Sequence, residues 1–275
     1  MDCKYNHKLA GACGLVTIPS RRTFDRRLKT MSTDMKERIS TMGNLFATER
    51  LVVEHSITAV DSTLMKAKGS VWHKSSMKKG IVPCSGIDTD ARWGYSHTNK
   101  GWIFGYKLHL TCTAAIDELV VPLTADVTTA NVSDNKMYIP LTSSSLVFSL
   151  PLVLYITADP GYDAKKLYEY SKGLGMDLVC PIERYKSTSK KRLELLCFYE
   201  SEMGQAIYSQ RRISVEPLIE HIKSVFRIDP LPVRGFTSVS AIVLLSVLLY
   251  QMMVYYNCKV GKLNPKSIKY MLGTG

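Results

Sequence analysis

The chain has 275 residues, 45% of them hydrophobic and 22% charged, which excludes a disordered or fibrous polymer and suffices for one large domain. Lys and Arg total 36 against 24 Asp and Glu, a formal charge of +12, so a polyanionic partner is favoured over an acidic one. The seven scattered cysteines include no CxxC pair, which argues against a disulfide framework or a structural zinc and fits a reducing compartment.

Residues 1–50 are expected to form a helical, basic N-terminal segment. Ser20 is its predicted N-cap, followed by Arg21, Arg22, Arg26, Arg27 and Lys29. The first five residues of the chain already carry charge, and nothing before Leu15 resembles a signal peptide. Leu51–Val60 then reads as a strand that ends at Asp61. Residues 65–100 are rich in Lys, Ser, Gly and His and predict a long loop. Trp72, Trp93 and Trp102 frame it, and packing is the expectation for them over stacking on a base.

Residues 101–113 and 119–128 predict a hairpin turning at Asp117-Glu118. Asp126 and Asp134 are expected to serve turns around Asn131-Val132-Ser133. Leu152–Ala158 reads as a buried strand closed by Asp159 and the turn signal Pro160-Gly161. A helix over 163–173, capped by Asp163 and stopped by Gly173, and a short strand over 177–182 follow. A further basic block holds Arg184, Lys186, Lys190, Lys191 and Arg192. A helical pattern begins near Ser214, where Pro217 is tolerated in a first turn; otherwise the helix kinks at Glu216. Residues 235–258 carry no charge until Lys259. They are expected to form a buried helix, with a membrane span as the alternative that length permits. The order of elements predicts an α/β fold, a mixed sheet covered by helices.

Three carboxylates stand out: Asp61 and Asp159 at strand ends, and Glu216 on a helix. Such hard oxygen donors can hold two Mg²⁺ ions, with Mn²⁺ able to substitute, and two ions can activate an attacking oxygen and stabilise a leaving one. Alone, each has an ordinary alternative as a turn residue, a cap or half of a surface ion pair. Arg212, Glu216, Glu220 and Lys223 follow one another at helical spacing and would share a face of a continuous helix. Glu220 is the second choice for the third ligand. Lys107, in a strand pattern, could reach a phosphate beside the carboxylates.

The contexts of these residues are more specific than the residues. Asp159, Gly161 and Tyr162 form an Asp-x-Gly-Tyr setting. Arg212 lies four residues before Glu216 and Lys223 seven after it, with Tyr208 one position off the usual Tyr, Arg, Glu, Lys signature. In this order and spacing, over roughly residues 15–260, the chain resembles the DDE transposases of bacterial insertion sequences of the IS-four/IS-five type. The resemblance implies an RNase H-like catalytic domain over 51–260 and a basic C-terminal tail over 261–275. The N-terminal segment would then be a DNA-binding or dimerisation region, truncated if relatives carry more.

The same resemblance implies Asp61, Asp159 and Glu216 as catalytic metal ligands and Arg212, Lys223 and Tyr208 as DNA-phosphate contacts. The implied activity is metal-dependent cleavage at element ends followed by strand transfer into target DNA. Its partners would be the terminal inverted repeats and target DNA, bound by a homodimer on paired ends in the bacterial cytoplasm at the nucleoid, with no membrane. A nuclease of the same core without integration activity, or a catalytically inactive DNA-binding relative, is the alternative.

Overall fold

The computed structural model describes residues 19–51, 57–96, 100–114, 119–149, 153–182 and 189–272, with isolated positions 11, 14 and 16. The expected turn at Asp117-Glu118 and the basic residues Arg184 and Lys186 lie outside the described residues, as do Val52–Ser56 of the first strand run.

Two helices lead in. In α1 (Arg21–Thr30) the Ser20 hydroxyl accepts from the Thr23 amide at 3.3 Å, the expected N-cap, and no residue is buried. In α2 (Ser32–Thr48) a stripe of Met35, Ile39, Gly43 and Phe46 is buried, at the spacing of one helical face. The core therefore does not begin at residue 51: Ile39 and Phe46 are fully buried in the main hydrophobic cluster.

Next come β1 (Ile57–Lys66), the short α3 (Lys74–Lys78), β2 (Arg92–Ser96), β3 (Gly101–Thr113) and β4 (Pro122–Thr129). The expected hairpin is present, since β3 and β4 pair antiparallel. The expected long loop over 65–100 is corrected: β1 runs on to Lys66, and β2 adds to the edge of β3. That edge is shared, with Gly101–Gly105 of β3 pairing β2 and Tyr106–Cys112 pairing β4. Five residues around a glycine carry too little periodicity to mark β2 locally. Gly94 is there because a Cβ would sit 2.3 Å from the Ala130 carbonyl.

The chain continues through α4 (Asn135–Ser143), β5 (Tyr155–Thr157), α5 (Lys165–Gly173) and β6 (Asp177–Val179). Asp163 does not cap α5, whose N-cap position is Ala164. Its carboxylate instead pairs with Arg192 and accepts from the Tyr168 hydroxyl at 3.1 Å. Asp126 is likewise no turn residue: it sits in β4 and binds Lys36 of α2 at 2.5 Å. Two long helices follow α6 (Lys190–Glu200): α7 (Glu202–Phe226) and α8 (Phe236–Lys259).

The sheet order is β2-β3-β1-β5-β6, with β4 also on β3. β3 runs antiparallel to both β1 and β4, whereas β5 and β6 run parallel to β1. This is the α/β mixed sheet flanked by helices that the sequence led us to expect. One face carries α2, α7 and α8 over Leu108, Leu110 and Cys112; the other carries α4 and α5 over Val60, Ile156 and Leu178. The apolar α8 is long enough to cross a membrane by composition, but here it is the central core helix, with Val243, Leu244, Val247 and Val254 fully buried. Gln251 ties it in, donating to the Ile39 carbonyl at 3.0 Å and the Pro122 carbonyl at 2.9 Å.

Candidate active site

The site forms where the parallel ladder stops. β5 pairs with β1 only over Ile57–Ala59, ending with Thr157 opposite Ala59. Beyond that point, among the described residues, no strand lies beside this edge of β1, and this is a place where open α/β sheets bind ligands. Asp61 lies two residues past Ala59 and Asp159 two past Thr157, so both follow the last rung of the ladder on neighbouring segments, and both line one cleft. Asp61 is thus not at the end of its strand, as expected from the sequence. It lies two residues beyond the β1–β5 ladder but sits mid-strand against β3, opposite Leu110.

Each aspartate is held by a local backbone contact. The Ser62 amide donates to Asp61 Oδ1 at 2.8 Å, and the Gly161 amide to Asp159 Oδ1 at 2.9 Å. A Cβ at Gly161 would lie 3.0 Å from that Asp159 oxygen, so a larger residue there would press on the carboxylate. Burial pushes the Asp61 carboxyl up to about 6, against the opposing pull of Arg211, and the nearby Asp159 adds to the rise. Burial, then the charge of Asp134, raises Asp159 as well. Carboxylates under such strain are relieved by a cation.

α7 supplies the third carboxylate. The helix does not start near Ser214, nor does it break at Glu216. It begins at Glu202, with the Ser201 hydroxyl accepting from the Gly204 amide at 3.1 Å, and runs through Pro217 to Phe226. A proline inside a helix costs about 3 kcal/mol. Here the buried stripe Ile207, Ser214, Val215, Leu218, Ile219 and Ile222 pins the helix to the sheet on both sides of it, and tertiary packing of that kind outweighs the lost bond.

Asp61, Asp159 and Glu216 line one cleft of about 620 Å³, together with Glu220, Lys223, Lys107, Asp134 and Arg211. Lys223 bonds Asp229 at 3.1 Å, Glu220 at 3.3 Å and the Thr63 hydroxyl at 3.4 Å. Lys107 is nearly buried and bonds Asp134 at 2.8 Å and the Val132 carbonyl at 2.9 Å. Two of the sequence-predicted residues stand apart. Arg212 is exposed and is not among the residues lining the cleft. Tyr208 packs edge-on against Tyr199, ring centroids 5.4 Å apart, and burial raises its hydroxyl.

Two cleft residues were missed from sequence. Asp134, expected in a turn, is a further cleft carboxylate: it also accepts from the Ser62 hydroxyl at 2.7 Å. Arg211 lies between the carboxylates, its Nη2 2.7 Å from Asp61 Oδ2 and its Nη1 2.8 Å from Glu216 Oε1. A signal for it existed. Arg211 falls on the buried stripe, four residues after Ile207 and four before Val215, and a charge on a core-facing stripe requires partners. The i, i+4 spacing that favoured Arg212 is geometrically sound but leads to the outer face.

Among the described residues, no three His, Cys, Asp or Glu side chains are gathered closely enough to hold a metal ion. The donor chemistry nevertheless fits a hard cation. The carboxylates are oxygen donors of the type Mg²⁺ takes, and a guanidinium already stands as a cation between Asp61 and Glu216.

A family model described as the transposase DDE domain matches residues 53–252. No curated protein matches the chain. Among solved structures, a Mos1 transposase paired-end complex with left transposon end has a TM-score of 0.26 at 13% identity, over 90% of this chain and 71% of that one. A pre-cleavage Mos1 transpososome gives 0.26 at 14% identity, over 89% and 73%. A Mos1 mariner paired end complex with Mn gives 0.26 at 12%, over 90% and 72%.

Proposed function

The chain belongs to the DDE transposase family, and we propose that the cleft bounded by Asp61, Asp159 and Glu216 is where it cuts and joins DNA. The observation that carries this reading is that Asp61 and Asp159, each two residues past the last rung of the parallel ladder, line one cleft with Glu216 of α7. DDE transposases use divalent metals; in this chain Asp61, Asp159 and Glu216 would hold them, with Glu220 as the alternative third donor. Mg²⁺, or Mn²⁺ in its place, would supply activation of the attacking oxygen and charge stabilisation of the leaving one.

The chain's own residues bind and orient the DNA. Lys223 and Lys107 sit in the cleft on exchangeable ion pairs and can turn to a phosphate. Arg212, on the outer side of α7, serves DNA that runs past the cleft, and Tyr208 sits near it on the same helix. In the first step a water oxygen bonds to phosphorus and the bond to the 3′ oxygen breaks, leaving a 3′-hydroxyl and a 5′-phosphate. In the second, that 3′-hydroxyl attacks a target phosphodiester and displaces the target's own 3′ oxygen, which takes the proton. The DNA partners are terminal inverted repeats and target DNA. We assign the element to the bacterial insertion sequences, with the protein acting as a homodimer on paired ends at the nucleoid.

A pre-cleaved element-end duplex incubated with target DNA and Mg²⁺ tests this directly. Joined product is expected; hydrolysis alone would leave a nuclease without integration. Asp159→Asn and Asp61→Asn are each expected to lower cleavage by more than about a hundredfold. Unchanged metal-dependent cleavage in both would identify the cleft as something other than the active site.

A further inference from the structure

We propose that Arg211 is an internal counter-cation that holds Asp61 and Glu216 together before metal binds and must leave them for metal to bind. This rests on the assignment of those two carboxylates as metal ligands. The geometry is of a bridge rather than a clamp. One arm of the guanidinium takes an oxygen of Asp61 at 2.7 Å and the other an oxygen of Glu216 at 2.8 Å. A bidentate arginine places both arms on one carboxylate. Splitting them joins a strand residue to a helix residue 155 positions along the chain, the two sides that a metal would join.

The bridge is largely shielded from water. The Arg211 side chain and that of Asp61 are each 11% exposed, against 48% for Glu216. In such surroundings an unpaired carboxylate is costly, so the metal-free site needs a positive charge of its own. Arg211 provides it incompletely, because its buried Nε has no partner among the described residues. Its anchoring also permits exchange. The Cα is fixed on the core-facing stripe of α7, while the side chain lines the 620 Å³ cleft and has space to swing into. An ion placed between Asp61 and Glu216 would need oxygen lone pairs that the guanidinium now occupies, so the two cations compete. Arg211 is therefore a positioning residue, acting on the ligands rather than on the substrate.

The test is Mn²⁺ binding to the full chain, followed by the electron paramagnetic resonance signal of the free ion, together with thermal unfolding in EDTA. Arg211→Met keeps the stem and removes the fork. It is expected to bind Mn²⁺ roughly tenfold more tightly than the parent. It should also unfold at a lower temperature in EDTA and gain more from added Mn²⁺. Equal or weaker Mn²⁺ binding overturns the proposal. Should Arg211→Met not fold, Arg211→Lys decides instead: a single ammonium cannot span both carboxylates, so tighter binding than the parent is again expected and equal binding is fatal. Asp61→Asn separates the two levels of argument. If it abolishes Mn²⁺ binding while Arg211→Met changes nothing, only the role of Arg211 fails. If Mn²⁺ binding ignores Asp61→Asn, the metal-ligand assignment falls and takes this one with it.

Discussion

His109 shows how the sheet sets the chemistry of a single residue. It faces the α4 side of β3, fully buried, with Nε2 2.8 Å from the Thr128 hydroxyl and Nδ1 3.7 Å from Asp134. Burial pushes its pKa down from 6.5 to about 4; Asp134 opposes the shift and Lys107 assists it. As pH falls through 6.5 the unfolded chain takes up a proton that the folded chain refuses until near 4, so stability is lost across that window. Urea unfolding at several pH values between 7 and 4 should therefore give a shallower decline for His109→Gln than for the parent. Parallel curves would mean that His109 takes up its proton over the same pH range in the folded and unfolded chain. The burial of His109 cannot be recognised from neighbouring residues, and those of Arg211 place it on the core-facing stripe without identifying the carboxylates it bridges. Both depend on partners far along the chain, whereas Asp159 is announced locally by Pro160-Gly161-Tyr162.

Among the elements, α2 carries a test of close packing. Gly43 lies on its buried face, where an added Cβ would stand 2.7 Å from the Leu123 carbonyl of β4. In an exposed helix Gly→Ala stabilises by about 1 kcal/mol. Here the clash is with backbone in the core, and overpacking of that kind costs about 1–3 kcal/mol. Gly43→Ala is expected to lower the melting temperature, and a rise would show that α2 can slide on β4. The long helix α8 was legible as a helix from its unbroken apolar run, and its burial agrees with the expectation. The start of α7 was not legible, because residues 189–213 mix basic and apolar residues without a clear stripe. Its true signal is the Ser201 cap followed by Glu202, a short pattern that occurs often by chance.

At the scale of the whole molecule, the N-terminal basic helix keeps its charge outside the core. α1 presents Arg21, Arg22, Arg26 and Arg27 to solvent and buries nothing. Changing Arg22, Arg26 and Lys29 to Gln should leave the melting temperature nearly unaltered, since exposed substitutions fall within about 0.5 kcal/mol. If this helix tracks DNA, the same change should reduce the slope of log affinity against log salt by up to about 2–3. An unchanged slope, measured by titration of labelled duplex at several salt concentrations, would remove α1 from the DNA path.

The sequence by itself determined the residue chemistry: which stretches alternate as strands, where turns must fall, that charge is in excess, and that Asp61, Asp159 and Glu216 stand in the contexts of one family. These are local properties, fixed by neighbours within a few positions. Only the tertiary structure decided that β1 outruns β5, leaving Asp61 and Asp159 in one cleft at an open edge. It also decided that α7 runs unbroken through Pro217, and that Arg211 rather than Arg212 turns inward to bridge the two sides of the cleft. Those outcomes depend on register, on packing and on which face of a helix meets the sheet, and such long-range relations leave only a faint trace in local sequence.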